Sequence, residues 1–385
     1  MGKTILVLGG GIGGINAARE LNRKIGNEDG INLARILVFE KEEKSVYAPS
    51  LTWLMVGKRE PEQLHRDIRK TEVGGVEVIN GEIETVDPGN ISVTVNGEHY
   101  KGDYMVVSLG VEQTSERNLY NLGHNFYTLD GAKSFYEQLK DFKGGKIALV
   151  VSSLPFRSPV APYEAAMLVE SYIREKGLRE QTEISLYTPE HEPMAFAGKE
   201  VSNQVRRLLE SKDIRYLPEH ELIATTDEKL AFSTHSGERK TTDFELLAYT
   251  PSHQCPSVIV KSGLCKKSGW IEADRQTLET SFPNVYAIGD ITSIMLESGE
   301  LLPKSGIIAK QQANVVAHNI AREIAGKNPN KTFDGQGEYI LEVGDHSANK
   351  VRGDFYSADV DMKKSSVIRH WEKVLFEKSW FHKNF

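Results

Sequence analysis

Residues 4–14 read Thr4-Ile5-Leu6-Val7-Leu8-Gly9-Gly10-Gly11-Ile12-Gly13-Gly14, an apolar run closed by a glycine cluster. Gly9, Gly11 and Gly14 satisfy the pattern G-x-G-x-x-G, and Ile15, Ala18 and Leu21 then recur at helical spacing. Strand, glycine turn and helix in that order give each glycine its own task. The first allows the tight turn, the second lets backbone approach a pyrophosphate, and the third lets helix and strand pack closely, with the helix N-terminus facing the anion. Ile12 and Gly13 complete the turn. A second apolar run, Ile36 to Phe39, stops at Glu40. A carboxylate there accepts hydrogen bonds from both ribose hydroxyls of an adenosine and repels a 2′-phosphate. Lys41 follows it at the same strand end. The stretch therefore predicts a dinucleotide-binding βαβ unit, with the polar interval Lys24 to Asn32 as a surface loop.

Outward from this unit, Val76 to Ile79, Glu82 to Val86, Ile91 to Val95 and Tyr104 to Val107 alternate like a small sheet inserted into an α/β domain. A second α/β pattern begins at Lys146. Ile147 to Val151 is β-branched, Tyr163 to Lys176 is helical with a stop at Gly177, Ile184 to Tyr187 is a strand and Val201 to Lys212 a helix. Val285 to Ile288 then reads as a strand and Ile307 to Ile324 as a long helix. The tail carries a hairpin, Tyr339 to Val343 with Val351 to Tyr356, and an aromatic helix, Ser366 to Phe381. The expected fold class is α/β: two Rossmann-like dinucleotide-binding domains in tandem plus a C-terminal hairpin and amphipathic helix. The expected boundaries are 1–113 with 270–326, then 114–269, then 327–385.

Composition narrows the function classes. The chain has 385 residues and a net charge of −7, from 47 Lys plus Arg against 54 Asp plus Glu. It offers no basic field for nucleic acid and no apolar stretch of the roughly 18 residues that a membrane span needs. The N-terminus runs straight into a strand without the features of a secretory signal, which predicts a cytoplasmic protein. Its only cysteines are Cys255 and Cys265, so no disulfide framework and no metal site are expected, and the two read as unpaired thiols.

Asp103 to Gly110 and Asn284 to Asp290 look like the two further strand-glycine signatures of the two-dinucleotide-binding-domain flavoproteins. That resemblance implies FAD, with Gly110 and Gly289 in the turns and Asp290 holding its ribityl or pyrophosphate part. The middle lobe passes from Ile147 through Ser152-Ser153-Leu154-Pro155-Phe156-Arg157-Ser158-Pro159 with no glycine before its helix. Side chains and Pro155 stand where a pyrophosphate needs bare backbone, which argues against NAD(P)H there.

Leu154 to Glu164, Tyr47-Ala48-Pro49-Ser50-Leu51 and Leu302-Pro303-Lys304-Ser305-Gly306 resemble the sulfide:quinone oxidoreductases and the flavoprotein subunit of flavocytochrome c sulfide dehydrogenase. The resemblance spans nearly the whole chain. It implies two cysteines flanking the flavin that pass sulfur between them, whereas Ser158 and Tyr339 stand at those positions here. Neither side chain forms a persulfide, so the usual sulfide relay is not expected. Other groups fit flavin chemistry. Lys304, in the turn before a helix, stabilises negative charge on a reduced flavin; Glu164, on the first turn of the middle-lobe helix, relays protons or offsets the helix dipole; Tyr47 and Pro49 line the isoalloxazine.

In the tail helix Trp371, Val374, Leu375 and Lys378 share one face, with Phe376 and Trp380 beside it. That helix lies on a membrane near a quinone entrance, as the resemblance implies, or packs on the protein body or a second subunit. The expected activity is an FAD-dependent oxidoreductase passing electrons from a donor to a quinone or protein acceptor, peripheral on the cytoplasmic face of a membrane. NADH:quinone oxidoreduction, an electron-transfer or regulatory subunit, sulfide oxidation through Cys255, and a homodimer stay open.

Overall fold

The apolar run that opens the chain becomes the central strand of a parallel sheet. Lys3–Leu8 pairs with Ala34–Glu40 on one side and Tyr104–Val107 on the other, and Val76–Asn80 and Val285–Ala287 close the two edges. In chain order this is the 3-2-1-4-5 arrangement, and the order reverses between Lys3–Leu8 and Tyr104–Val107. A ligand crevice belongs there, beyond the carboxyl ends of the strands. The computed structural model describes residues 2–25, 34–70, 75–114 and 118–385.

Burial on both faces explains why these strands are apolar throughout rather than alternating. Ile5 and Val7 face a core shared with Ile15, Ala18 and Leu21 of the first helix, Ile12–Ile25; Leu6 and Leu8 face a second core with Val93, Trp270 and Ile271. The long helix Gly306–Ile324 packs beside the first helix. It comes close at Gly13, where an added Cβ would stand 3.4 Å from Ala309 Cβ.

The four segments expected as one inserted sheet divide between two. Val76–Asn80 and Tyr104–Val107 join the parallel sheet, and the inserted sheet is the antiparallel meander Ile83–Asp87, Ser92–Val95 and Glu98–Lys101. Alternation reported the strands but not their partners. The insert expected as a loop from Lys24 starts within the first helix, which runs to Ile25; residues 26–33 lie outside the described ones.

The second parallel sheet has the order His124–Asn125, Leu246–Thr250, Gly145–Val151, Thr182–Tyr187 and Ile214–Leu217, backed by helices Ala161–Glu175 and Lys199–Ser211. The tail holds three strands rather than a hairpin: Gln336–Gly344, Ser347–Asp354 and Asp359–Ser366. The third escaped notice because it is a polar edge strand in which Met362 alone is buried. The final helix, Val367–Asn384, begins at Ser366, whose Oγ accepts the Arg369 N–H.

One partly buried carboxylate gives the fold a pH dependence. Glu190 follows the strand Thr182–Tyr187 and accepts hydrogen bonds from the Tyr163 hydroxyl and, at 3.0 Å, from Thr188 Oγ1. Burial pushes its carboxyl up from 4.5 to about 7 against those bonds. A raised carboxyl favours the native state below its unfolded value, and that contribution is lost as pH rises through the folded value. We expect stability to fall between about pH 4.5 and pH 7 by about 2 to 3 kcal/mol from this group. Urea titrations of E190Q across that range should show this component flattened.

Candidate functional site

Two cavities meet at the carboxyl ends of the first sheet. The larger, about 540 Å³, runs over the glycine turn. Gly9 sits at φ +102°, a conformation that side chains resist, and an added Cβ would stand 2.6 Å from Ser108 O. At Gly14 it would stand 1.8 Å from Gly9 O, so helix and strand touch there. At Gly11 a Cβ would meet nothing within 4 Å, because that glycine borders the open cleft. The roles read from the spacing thus separate physically: two glycines serve packing and one leaves space.

Ile12, Gly13, Glu40, Lys41, Pro49, Gly110, Gly289 and Asp290 all line this cleft. Glu40 is held at the strand end, its Oε2 accepting from Gly10 N at 2.7 Å and its Oε1 from Glu42 N at 3.0 Å. Across the cleft, Asp290 Oδ1 is buried with no hydrogen-bond partner among the described residues. Burial raises that carboxyl, with Arg157 and Lys304 acting the other way. Gln312 fixes the turn before it, its Oε1 accepting from Gly289 N at 2.7 Å.

Lys304 departs from expectation. It lines neither cavity. Its backbone is bound to the middle-lobe turn, where Ser158 N donates to Lys304 O at 2.7 Å, and its side chain runs the other way. There the ammonium donates to Asp290 O at 2.6 Å and Thr292 O at 2.9 Å and lies 3.6 Å from the centre of the Trp270 ring. Burial lowers it from 10.5 to about 8. Arg157, which the sequence reading passed over, does line the cleft, as do Lys41 and Lys261; Arg157 Nη2 donates to Tyr127 O at 3.1 Å.

The second cavity, about 310 Å³, adjoins the first through Ile12, Ala48, Pro49, Ser158 and Gly306. Tyr47, Phe376 and Trp380 give it aromatic walls. Ser158 and Tyr339, where the resemblance implies cysteines, both line it. Ser158 sits at φ +53°, and the buried Tyr339 hydroxyl lies 3.1 Å from Ser305 Oγ, its ionisation pushed up by burial.

Glu164 borders the same cavity and does more than offset a helix dipole. It is 2% exposed, paired with the Lys373 ammonium, bonded to Thr52 Oγ1, and its Oε2 accepts from Glu342 N at 3.1 Å. Glu342 in turn holds His370 Nδ1 at 3.0 Å. The C-terminal helix thus contributes His370, Lys373 and Glu377 to a buried polar cluster, with Glu377 on Arg59 at 3.0 Å. Three polar residues at spacings of three and four along an aromatic helix were the available signal. The same helix turns Val374 inward, not outward with Trp371 and Leu375, and leaves Ile368, Trp371, Leu375 and Phe376 exposed.

In the middle lobe, Ser152 Oγ donates to Thr250 O and Phe156 is buried where a glycine turn would stand bare. The two cysteines are free, as expected, but their proximity is not legible in the sequence. They are neighbours, with Cys255 Sγ 2.9 Å from Cys265 Sγ, because the chain makes the short helix Ser257–Lys261 and doubles back.

The family model for pyridine nucleotide-disulphide oxidoreductases matches residues 3–313. The chain belongs to that family. Its members are FAD-dependent oxidoreductases, and the chain is an oxidoreductase of this kind. Within the family it is similar to the mitochondrial sulfide:quinone oxidoreductase of Mus musculus, 24% identical over 354 residues that cover 88% of this chain and 75% of that one. The sulfide-quinone reductase of Aquifex aeolicus is 23% identical over 409 residues, covering 100% of this chain and 91% of the relative. The crystal structure of the Aquifex aeolicus sulfide:quinone oxidoreductase superposes with a TM-score of 0.88 at 21% identity, covering 99% of this chain and 91% of that one. Two tandem parallel sheets and the C-terminal unit are therefore a shared architecture. Among the described residues no helix is long and apolar enough to cross a membrane, and no group of His, Cys, Asp and Glu is placed to hold a metal ion.

Proposed function

We propose that the chain binds FAD in the larger cleft and exchanges electrons with a quinone in the adjoining cavity, without a cysteine persulfide relay. The observation that carries this reading is the junction of the two cavities at Ile12, Ala48, Pro49, Ser158 and Gly306. The cleft fits a dinucleotide. Gly11 leaves backbone open for a pyrophosphate, and the orphaned Asp290 Oδ1 calls for a hydroxyl donor that a ribityl chain or ribose provides. Glu40 suits the adenosine ribose, with Gly9, Gly13, Lys41, Pro49, Gly110 and Gly289 shaping the walls and Gly14 holding the helix against the strand beneath them. FAD, when bound, supplies the two-electron chemistry. The chain's part is to orient and to manage protons. Lys304 acts as a positioning residue, holding the Asp290 and Thr292 carbonyls. The Lys373–Glu164 pair borders the second cavity and is the group placed to hold or pass a proton there.

Ser158 and Tyr339 occupy the place where sulfur transfer would need thiols, so sulfide is not the donor on this reading. Anaerobic titration of the holoprotein tests it. Reduced quinone should bleach the flavin absorbance, while sulfide leaves it unchanged and NADH acts slowly if at all. Rapid bleaching by NADH would transfer the assignment to NADH:quinone oxidoreduction, and bleaching by sulfide would restore the sulfur reaction.

The same reading puts the protein peripherally at the cytoplasmic face of a membrane. The exposed edge of Ile368, Trp371, Leu375 and Phe376 lies on the helix that also supplies Lys383 to the mouth of the second cavity, beside Arg19 and Lys310. Apolar side chains flanked by cations suit an interface with anionic lipid. Replacing both Trp371 and Leu375 with Glu should weaken co-sedimentation with vesicles containing anionic lipid roughly tenfold or more. Flavin content should not change.

A further inference from the structure

Cys255 and Cys265 sit ten residues apart in sequence, at the two ends of a segment whose Pro256, Ser257, Val258 and Lys261 border the dinucleotide cleft. Their sulfurs are 2.9 Å apart, closer than two sulfur atoms rest without bonding, and a disulfide bond of about 2.05 Å needs less than 1 Å of further approach. Nothing in the proposed electron path uses them, and neither borders either cavity. Their surroundings differ in a useful way. Cys255 is 5% exposed within the core that holds Leu264, Trp270 and Ile271, whereas Cys265 is partly exposed.

We propose that Cys255 and Cys265 form a thiol–disulfide exchange site, open to low-molecular-weight disulfides, whose closure ties together the two ends of the cleft-lining segment. The first step falls to Cys265, the accessible thiol. Its sulfur, on losing its proton, bonds to one sulfur of the incoming disulfide, whose S–S bond breaks, and the other half leaves as a thiol by taking up a proton. Cys255, whose ionisation burial and the neighbouring sulfur both oppose, is shielded from the bulky reagent but faces the mixed disulfide directly. Its sulfur displaces the second half, which also leaves as a thiol with the proton Cys255 gives up. The two protein thiols lose two electrons and two protons in total, and the reagent disulfide gains both. Proximity makes the second step intramolecular, which favours closure over a lasting mixed disulfide.

The experiment exposes the reduced holoprotein to oxidised glutathione. Thiols titrated in denaturant should fall from two to none, the intact mass should drop by two hydrogens with no glutathione retained, and proteolysis should release a fragment joining Cys255 to Cys265. C255S should keep one glutathione on Cys265, and C265S should leave Cys255 unmodified. Amide hydrogen exchange over residues 257–261 should slow on oxidation and recover with a reductant. Stable glutathione on either cysteine of the wild-type protein, or two thiols surviving a treatment that modifies C255S, would overturn the proposal. It does not depend on which ligand fills the cleft, since the thiol count and the mass are read whatever the flavin does.

Discussion

Gly11→Val should give a folded protein without flavin. The reason is the asymmetry between the glycines of the turn. A Cβ at Gly11 meets nothing within 4 Å, and the residue borders the cleft, so valine is accommodated by the fold and projects where a pyrophosphate would lie. Gly14 is the opposite case, since a Cβ there would overlap Gly9 O at 1.8 Å. Relief of that clash requires strand and helix to separate, at a cost of about 1 to 3 kcal/mol or more. The expected pattern is therefore a loss of ~450 nm absorbance in G11V, with affinity for added FAD lowered at least about 100-fold. The melting temperature should stay within about 2 °C of wild-type protein stripped of cofactor. Stripped protein is the proper reference because a bound ligand itself raises the melting temperature. G14A should lose folded yield whether or not FAD is supplied. A G11V protein that still carries flavin would remove the assignment of this cleft.

The difference between the two glycines also marks what a sequence can convey. Spacing identifies a turn because its backbone needs are local: Gly9 must reach a positive φ, and Gly14 must lie against the strand that precedes it. The places of Glu40 and Asp290 were legible for a similar reason, since the first ends a strand and the second lies in the turn just after one, and the apolar run of each strand announces itself. Contacts made across the chain are different. Lys304 lies next to a glycine turn and before a helix, which suggests a cleft-facing cation; pairing of its backbone with the segment at Ser158 sends the side chain to the far side, and Arg157 takes the place in the cleft. Neither outcome is written in the spacing of residues near 304. Cys255 and Cys265 likewise look unrelated at that spacing until the helix Ser257–Lys261 folds the chain back on itself. Of the partners of Glu164, Thr52 lies 112 residues before it, and Glu342 and Lys373 lie 178 and 209 residues further on, in an edge strand and the last helix.

Lys373→Met should be the most destabilising single change at the second cavity. Lys373 is 6% exposed and Glu164 2% exposed, so both charges are largely withdrawn from bulk water. The methionine fills the volume and keeps contact with the Trp53 ring, whose centre lies 4.8 Å from the Lys373 ammonium. It leaves the Glu164 carboxylate with neutral donors, Thr52 Oγ1 and Glu342 N, and no opposite charge beside it. An uncompensated buried carboxylate costs about 3 to 5 kcal/mol. Changing Glu164 to Gln in the same chain removes that charge, so the double variant should recover most of the loss, and urea titrations of the four proteins yield the coupling directly. The pH profile separates this account from a simple packing defect. Burial already raises Glu342, and Lys373 and His370 are the groups that hold it down. Without Lys373 the native state binds a proton more readily at Glu342. Carboxyls raised in the native state stabilise it below their unfolded values and cease to do so as pH rises through the folded ones. The deficit of K373M should therefore be small near pH 4 and grow toward pH 8, whereas a packing defect would be equal at both.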